Sequence, residues 1–210
     1  PGQLVDSSTH ALAALVREAG GIPHRLPIAR DEPGALAALL ATALEYDAVI
    51  TTGGVSVGEA DHVHEALAAA GVTVELWKVA MKPGKPFTFG RHATRGTPVF
   101  GLPGNPVSTV VAFELFVRPA ILAMQGATIV ERPRAAVVLV GGYRKPAGRA
   151  HYLRAHVTRA GDRLVAHAHP KQGSAMLGSL VGCNALVEIP AELTSIPPDG
   201  PATAIVLEPL

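Results

Sequence analysis

The chain has 210 residues, of which 48% are hydrophobic, 17% charged and 4% aromatic, which is the composition of a globular protein. Its formal net charge of +1 gives no long-range attraction to nucleic acid or to an anionic membrane, so we expect neither as a partner. The single cysteine, Cys183, excludes an internal disulfide framework and a cysteine-based zinc site. The sequence shows neither a signal peptide nor an apolar run of about 18 residues, so we expect a cytoplasmic protein.

The first 130 residues alternate predicted helices with predicted strands. In chain order these are a helix from Asp6, a strand over 22–28, a helix from Asp31 to about Tyr46, a strand over 47–52, a helix from about Asp61 to Ala70, a strand over 72–80, short strands near 87–89 and 98–101, and a helix from about Val107 to Met124. Such alternation predicts an α/β fold of three layers, in which a largely parallel sheet lies between helices.

The pattern changes after Gly126, where short strand-like runs are separated by Gly, Pro and Asp. These runs cover residues 135–143, 151–159, 163–169, 184–190 and 202–208, and only the segment 174–180 (SAMLGSL) has the pattern of a longer helix. The sequence therefore predicts an α/β domain over residues 1–130 and a small all-β, barrel-like domain over residues 131–210. The expected boundary is Glu131-Arg132-Pro133.

Three loops of the α/β domain are unusual, and ligands of doubly wound sheets bind beyond the carboxyl ends of the strands. The first loop, Thr51 to Asp61 (TTGGVSVGEAD), joins a strand to a helix start, where backbone N–H groups bind phosphate. Asp61 is a candidate Mg²⁺ ligand, although a tight turn with Asp61 as helix N-cap explains the loop nearly as well. The candidate phosphate-binding residues of this loop are Gly53, Gly54, Ser56, Gly58 and Glu59.

The second loop, 81–86 (MKPGKP), holds two lysines between prolines. Lys78 lies four residues before Lys82, so both point to one face if the strand continues between them. Three ammonium groups near one another, those of Lys78, Lys82 and Lys85, favour a polyanionic ligand. The alternative is a solvated turn whose lysines point outward.

The third loop, 101–108 (GLPGNPVS), leads into the apolar helix. Asn105 is the predicted N-cap and Pro106 the first helical residue, so the Ser108 hydroxyl and the free N–H groups of the first turn suit an anion. A well-capped turn without a ligand is an equally good interpretation. Asp31, in the segment RDEP, is most simply part of a helix start.

Together these loops resemble the molybdopterin molybdotransferase family, which includes bacterial MoeA-type proteins and the E domain of gephyrin. The resemblance rests on TGGVSVGEAD, WKVAMKPGKPFTFG and GLPGNPVS, in that order, with RDEP and the C-terminal QGSAMLGSLVGCNALVEIP in addition. It implies a molybdopterin-binding α/β domain followed by a β domain. It also implies hydrolysis of adenylylated molybdopterin with Mg²⁺ or another divalent cation, insertion of molybdate and release of AMP.

The resemblance also implies roles for individual residues. Asp31 and Asp61 match acidic active-site positions, with Asp61 the metal ligand, and Lys78 and Lys82 match catalytic basic positions. Residues implied to contact molybdopterin and its phosphate include the third-loop residues Pro103, Gly104, Asn105 and Pro106 together with the first-loop set. Residues implied to contact molybdate are Lys85, Ser108, Arg149 and Ser174, with Arg154 as the alternative to Arg149.

Relatives carry further domains and a TGDEL-type loop before the position where this sequence begins, so we expect a truncated chain whose own activity is in doubt. Two other functions stay open. One is the related molybdopterin adenylyltransferase, which shares the α/β domain but lacks the β domain. The other is a non-catalytic molybdopterin-binding or scaffold module. The resemblance further implies a homodimer and the adenylyltransferase as a second partner.

Overall fold

The computed structural model describes residues 6–29, 34–53 and 60–209. The chain forms two compact units: an α/β unit of residues 1–79 and 84–129, and a β unit of residues 80–83 and 130–210. The sequence predicted the change of architecture near residue 130. It gave no sign that residues 80–83 leave the first unit and join the second.

The α/β unit contains both helices and strands, as predicted, but its described elements do not alternate throughout. Its elements are α1 (Ser8–Glu18), α2 (Ala35–Ala43), β1 (Val49–Thr52), α3 (Ala60–Ala69), β2 (Val72–Trp77), β4 (Thr88–His92), β5 (Pro98–Leu102), α4 (Pro106–Ala112), a π-helical turn (Phe113–Val117) and α5 (Arg118–Met124). The predicted short strands near 87–89 and 98–101 correspond to β4 and β5.

The four strands of this unit form a mixed sheet in the order β1-β5-β4-β2. Only β1 and β5 run parallel, whereas the β5–β4 and β4–β2 pairs among the described strands are antiparallel. The prediction of a largely parallel sheet is therefore wrong for these strands. The reason is the short turn after β4, closed by the His92 N–H donating to the Thr97 carbonyl (3.0 Å). A parallel pair needs a crossover of a dozen or more residues, which this turn does not provide.

The strand predicted over residues 22–28 does not form, since residues 21–29 have no regular secondary structure. Pro23 and Pro27 lack the N–H groups that a sheet ladder requires. Ile22 and Ile28 are 84% and 76% exposed, so the apolar pattern of this segment does not mark a buried strand.

Two predicted boundaries also differ. Helix α2 begins at Ala35, after Gly34 in the left-handed conformation (φ 81°), and Asp31, from which the helix was predicted, lies outside the described residues. The strand predicted over 72–80 ends at Trp77, because Lys78 has a φ of 66° and no strand continues through a left-handed residue.

Two apolar clusters confirm the three layers. On one face of the sheet, Leu12 of α1 and Phe113 and Val117 of the last helical run pack with Phe100. On the other face, Leu40 of α2, Leu44 at its C-terminal end and Leu67 of α3 pack with Val49 and Val99. Val99 and Phe100 are consecutive residues of β5, and their opposite directions follow from the period of two in a strand.

The helical run 106–124 is continuous but changes its hydrogen-bonding pattern in the middle. The π-helical turn ends two residues before Pro119, which has no N–H to donate to the preceding turn. A π-turn is one of the ways in which a helix absorbs such a break. This run is the one described helix that is long and apolar enough to span a membrane, and half of it is buried inside the α/β unit.

The β unit is a small barrel, as the sequence predicted. Its strands are β3 (Met81–Lys82), β6 (Arg134–Leu139), β7 (Tyr143–Arg144), β8 (Ala150–Ala160), β9 (Arg163–Ala168), β10 (Ala185–Ile189), β11 (Ser195–Ile196) and β12 (Gly200–Val206). The order β10-β12-β6-β9-β8 closes through pairing of β8 with β10. The segment 174–180 contributes only a 3₁₀ helix, Leu177–Leu180.

Strand β3 joins the outside of this closed sheet. It runs parallel to β8, with Met81 opposite Ala150 and Lys82 opposite His151. The Ala150 N–H donates to the Ala80 carbonyl (2.9 Å), which extends this short pairing. Lys82 is thereby fixed to the β unit.

Replacement of Gly90, in the central strand β4, is expected to destabilise the α/β unit. A Cβ at this position would lie 2.6 Å from the Thr73 carbonyl oxygen of β2, so the ladder must open. We expect Gly90→Ala to lower the free energy of unfolding by about 1–3 kcal/mol, the usual cost of overpacking. The measurement is chemical denaturation followed by circular dichroism.

Gly178→Ala is the matched control, because a Cβ there meets no atom within 4 Å and the change in the unfolded chain is the same. Equal stabilities of the two variants would contradict the close approach of β2 and β4.

Candidate functional site

The first and third predicted loops meet at the carboxyl ends of β1 and β5. Because these neighbouring strands are parallel, both loops leave the same edge of the sheet. The Thr52 hydroxyl donates to the Pro103 carbonyl (3.2 Å), and the Gly53 N–H donates to the Leu102 carbonyl (3.2 Å). A Cβ on Gly104 would lie 3.3 Å from the Gly53 Cα, so the absence of a side chain at Gly104 allows the two backbones to approach.

The third loop is held by a residue that sequence reasoning missed. Thr109 is completely buried, and its hydroxyl donates to the Pro103 carbonyl (2.6 Å) while lying 3.1 Å from the Asn105 carbonyl. Asn105 occupies the N-cap position of α4, but its side chain makes no capping hydrogen bond. The sequence signal for this contact is a threonine four residues after a turn residue, because the threonine hydroxyl can reach the carbonyl of that turn residue.

Ser108 lies in the first turn of α4, as predicted, and is 4% exposed. The beginning of α1 reaches the same loop, because the Ser8 hydroxyl lies 3.4 Å from the Gly104 carbonyl, to which it donates. Next to it, the Asp6 carboxylate accepts hydrogen bonds from the N–H (3.0 Å) and the hydroxyl of Thr9. Burial opposes ionisation of Asp6, but these bonds and the charge of Arg25 together lower its pKa, so it stays an anion at the helix start.

Lys78 and the two lysines of the second loop do not lie on one continuous strand, so the same-face argument for Lys78 and Lys82 was wrong. Lys78 interrupts the strand, and its Nζ lies 3.8 Å from the centroid of the Trp77 ring. The Lys85 carbonyl accepts hydrogen bonds from the N–H groups of Val79 (3.0 Å) and Phe87 (2.9 Å). Lys78 and Lys85 belong to the α/β unit and Lys82 to the β unit, and all three side chains are exposed.

The structure distinguishes Arg149 from Arg154, which the sequence left as alternatives. Arg154 is 1% exposed, and its guanidinium donates to the Ser179 hydroxyl (3.1 Å) and to the carbonyls of Lys171 (3.0 Å) and Gly173 (3.3 Å). Its donors therefore hold the loop that precedes Ser174. Arg149 is exposed and makes no hydrogen bond or ion pair with the described residues, so it is the arginine available to a ligand.

Near Arg149, the β unit places a buried histidine that the sequence did not indicate. His151 is 5% exposed, and its Nδ1 lies 3.1 Å from the Tyr143 hydroxyl. Burial, followed by the positive charges of Lys82, Lys145 and Arg149, lowers the pKa of His151 from 6.5 to about 4. Its imidazole is therefore neutral at pH 7.

Several predicted site residues lie outside the described residues. These are Asp31, Gly54, Ser56, Gly58 and Glu59, and the side chain of Asp61, at the start of α3, is likewise not described. Within the part of the chain that the structure does describe, no three His, Cys, Asp or Glu side chains form a group able to hold a metal ion. The assignment of Asp61 as a metal ligand stays a prediction.

Comparisons with known proteins give a consistent family. Residues 1–123 match a family described as a probable molybdopterin binding domain, and residues 136–198 match the MoeA C-terminal region, domain IV. Molybdopterin molybdenumtransferase 2 of Mycobacterium tuberculosis is 36% identical over 202 residues, which are 93% of this chain and 49% of that protein. The molybdopterin molybdenumtransferase of Nostoc sp. is 44% identical over 128 residues, or 60% of this chain and 29% of the relative.

Comparison with solved structures supports the same family. A molybdopterin biosynthesis MoeA protein from Pyrococcus horikoshii superimposes with a TM-score of 0.82 and 28% identity, covering 100% of this chain and 50% of that one. The chain spans about half the length of the curated relatives that it matches over most of its residues. Because the first family matches more than half of the residues and the second follows it in the β unit, the chain belongs to the MoeA family of molybdopterin molybdenumtransferases.

Proposed function

We propose that this chain acts in molybdenum cofactor biosynthesis as part of a molybdopterin molybdotransferase. It binds adenylylated molybdopterin and molybdate, inserts the molybdate and releases AMP, in the cytoplasm. The observation that carries this proposal is the contact between Gly53 and the Pro103–Gly104 turn, which creates a glycine-lined edge at the ends of two parallel strands. Backbone approach of this kind is what a phosphate-bearing ligand requires.

Each part of the site has a role in this proposal. The residues that contact the pterin and its phosphates are Gly53, Gly54, Ser56, Gly58, Glu59, Pro103, Gly104, Asn105 and Pro106. Lys78 and Lys82 neutralise charge that develops on the AMP leaving group. Lys85, Ser108, Arg149 and Ser174 bind molybdate. Asp31 and Asp61 are the acidic catalytic residues, and Asp61 holds Mg²⁺ or another divalent cation, which would supply further charge neutralisation.

The residue types fit the chemistry. Molybdate and a phosphoanhydride are both anions, so their site needs ammonium and guanidinium groups with N–H donors. The insertion step needs no side-chain nucleophile, because the pterin thiolates become the metal's ligands. Lys82, Lys85 and Arg149 are exposed and have no acidic partner within the described chain, which leaves their charges available.

We also propose the division at residue 130 as the functional one, with a molybdopterin-binding domain over 1–130 and a β domain over 131–210. Two partners are part of the proposal: a second copy in a homodimer, and the adenylyltransferase that supplies the substrate.

The deciding experiment incubates the chain with adenylylated molybdopterin, Mg²⁺ and molybdate and measures AMP. Molybdate-dependent AMP release is the expected result. Formation of adenylylated molybdopterin from ATP and molybdopterin would instead identify an adenylyltransferase. Tight binding by calorimetry without AMP release would identify a non-catalytic module.

Gly104→Ala is expected to weaken binding of adenylylated molybdopterin. The new Cβ, 3.3 Å from Gly53 Cα, displaces the first loop by a few tenths of an ångström. Since the loss of one hydrogen bond to the ligand costs about 0.5–1.5 kcal/mol, we expect a loss of roughly three- to tenfold in affinity. Calorimetry measures it, and Gly178→Ala, where a Cβ has free space, should bind like the unchanged chain. Equal affinities of the two variants would remove the loop contact from the site.

Lys85→Ala is expected to raise the molybdate concentration needed for half-maximal AMP release by about tenfold, the usual loss for one charged hydrogen bond. The charge of Lys85 is exposed and its backbone is fixed by Val79 and Phe87, so the substitution removes charge with little effect on the fold. Arg163→Ala removes an exposed charge at the start of β9 and is the matched control. A molybdate dependence that Lys85→Ala leaves unaltered counts against this assignment.

Asp61→Ala is expected to reduce Mg²⁺-dependent AMP release by on the order of a hundredfold or more, because the cation loses its carboxylate ligand. Asp162→Ala, in the exposed turn between β8 and β9, removes an equal charge and should leave the rate unchanged. Full turnover of Asp61→Ala at saturating Mg²⁺ would exclude the metal-binding role.

A further inference from the structure

One face of the α/β sheet is covered only in part. Helix α1 and the helical run 106–124 pack against β1 and β5 on this face, where Phe113 and Val117 are completely buried. Strands β4 and β2 lie beyond β5 in the sheet order, and α5, the last part of the helical run, has no buried residue. A groove of about 550 Å³ remains between α5 and these outer strands.

The floor of this groove is aromatic. Phe89 of β4 and Phe100 of β5 are directly paired, so their side chains share one face of the sheet, with ring centroids 5.3 Å apart. Leu76 of β2 is opposite Phe89, and Met124 of α5 also lines the groove. Leu76 and Met124 are 43% and 49% exposed, so an apolar ligand that covers them would remove apolar surface from water.

The π-helical turn lies at the same groove. Phe116 belongs to this turn, and its ring packs against the Phe87 ring with centroids 4.4 Å apart. The preceding residue, Leu115, lines the groove as well. The helix is therefore irregular where its side chains face the groove, and π-turns within α-helices are frequent at functional sites.

Among the described residues that line the groove, Arg91 alone is charged. Its guanidinium carbon lies 5.6 Å from the centroid of the Phe89 ring, so the charge is held beside the aromatic floor. Its Nε lies 3.5 Å from the Glu75 carboxylate, and an exposed ion pair of this kind contributes little. The terminal NH₂ groups of Arg91 have no partner in the described chain, and their geometry matches the two oxygens of a carboxylate.

The cation lies at one end of the groove. Arg91 is paired with Pro98 at the beginning of β5, whereas Phe87 comes just before the other end of β4. Arg91 is four residues after Phe87, which in an extended strand is a span of roughly 13 Å. An elongated apolar molecule with an anionic group at one end matches both the length of the groove and the position of its charge.

We propose that this groove binds a small, extended apolar carboxylate of the medium-chain fatty acid type. The carboxylate accepts hydrogen bonds from Arg91, and the chain lies over Phe89, Phe100 and Phe116. A purely apolar partner would cover the Arg91 guanidinium without supplying an anion, which costs free energy. The groove lies on a face of the sheet and not at the carboxyl ends of β1 and β5, so this binding does not depend on the proposed activity.

The test is calorimetry of the full chain with three ligands that share one eight-carbon chain: octanoate, octanol and octylammonium. Hydrogen bonds to charged groups contribute about 1.5–3 kcal/mol, so we expect octanoate to bind about tenfold or more tightly than octanol. Octylammonium should bind most weakly, because its charge repels Arg91.

Two variants test the two parts of the groove. Arg91→Met keeps an apolar side chain and should lower the affinity for octanoate to that for octanol, whereas Arg163→Met, at an exposed position of β9, should leave both affinities unchanged. Met124→Asp places a carboxylate in the groove and should weaken octanoate binding at least tenfold. Met176→Asp, at a side chain that is 41% exposed in the β unit, is its matched control. Arg91 and Met124 are both exposed, so we expect both variants to fold.

Three results would overturn the proposal. The first is no binding of octanoate at millimolar concentrations, and the second is equal affinity of the unchanged chain for octanoate and octanol. The third comes from analytical ultracentrifugation: self-association that Met124→Asp abolishes and octanoate does not affect would identify a second copy of the chain as the occupant of the groove.

Discussion

The parallel pairing of β1 with β5 is the constraint on which the candidate site depends. It brings the loop after Thr52 and the turn after Leu102 to one edge of the sheet, where a Cβ on Gly104 would lie 3.3 Å from the Gly53 Cα. The antiparallel strands β4 and β2 extend the sheet on the far side of β5. The candidate site therefore needs only one parallel pair, and the other strands of the sheet can be joined by short turns.

Much of the fold is encoded in local pattern, and the predictions failed where backbone geometry or backbone hydrogen bonding overrides that pattern. The helix over 106–124 and the β-unit strands were predicted because their apolar periodicity agrees with their tertiary environment. The antiparallel direction of β4 and β5 was not predicted, because it depends on the length of the turn after His92 rather than on composition. The segment 22–28 has an apolar pattern that resembles a strand. Its two prolines lack the N–H groups that strand pairing requires, so no strand forms there.

The candidate site likewise contains features that local sequence pattern predicts and features that depend on backbone geometry. The sequence placed three loops at the carboxyl ends of the strands, and the structure shows that the first and the third meet there. It did not identify the buried Thr109 hydroxyl that holds the third loop, or the interruption of the strand at Lys78, because both depend on backbone geometry. Arg149 and Arg154 are chemically identical in sequence and were separated only by burial. The burial of His151 could not be predicted either, because nothing in the segment HYLRAHV distinguishes a buried histidine from an exposed one.

Burial also explains why the β unit carries so many cations without carboxylate partners. A buried guanidinium must satisfy its donors, and Arg154 does so with one hydroxyl and two carbonyl groups. Burial lowers its pKa, while nearby Cys183 and Tyr143 oppose that shift. The carbonyls offer dipoles rather than a full negative charge, so the net positive charge of the barrel is retained. Lys145 is held by carbonyls in the same manner. The barrel thus uses backbone oxygen atoms to stabilise its structural cations, and the charges of exposed Lys82 and Arg149 stay uncompensated by the described part of the chain.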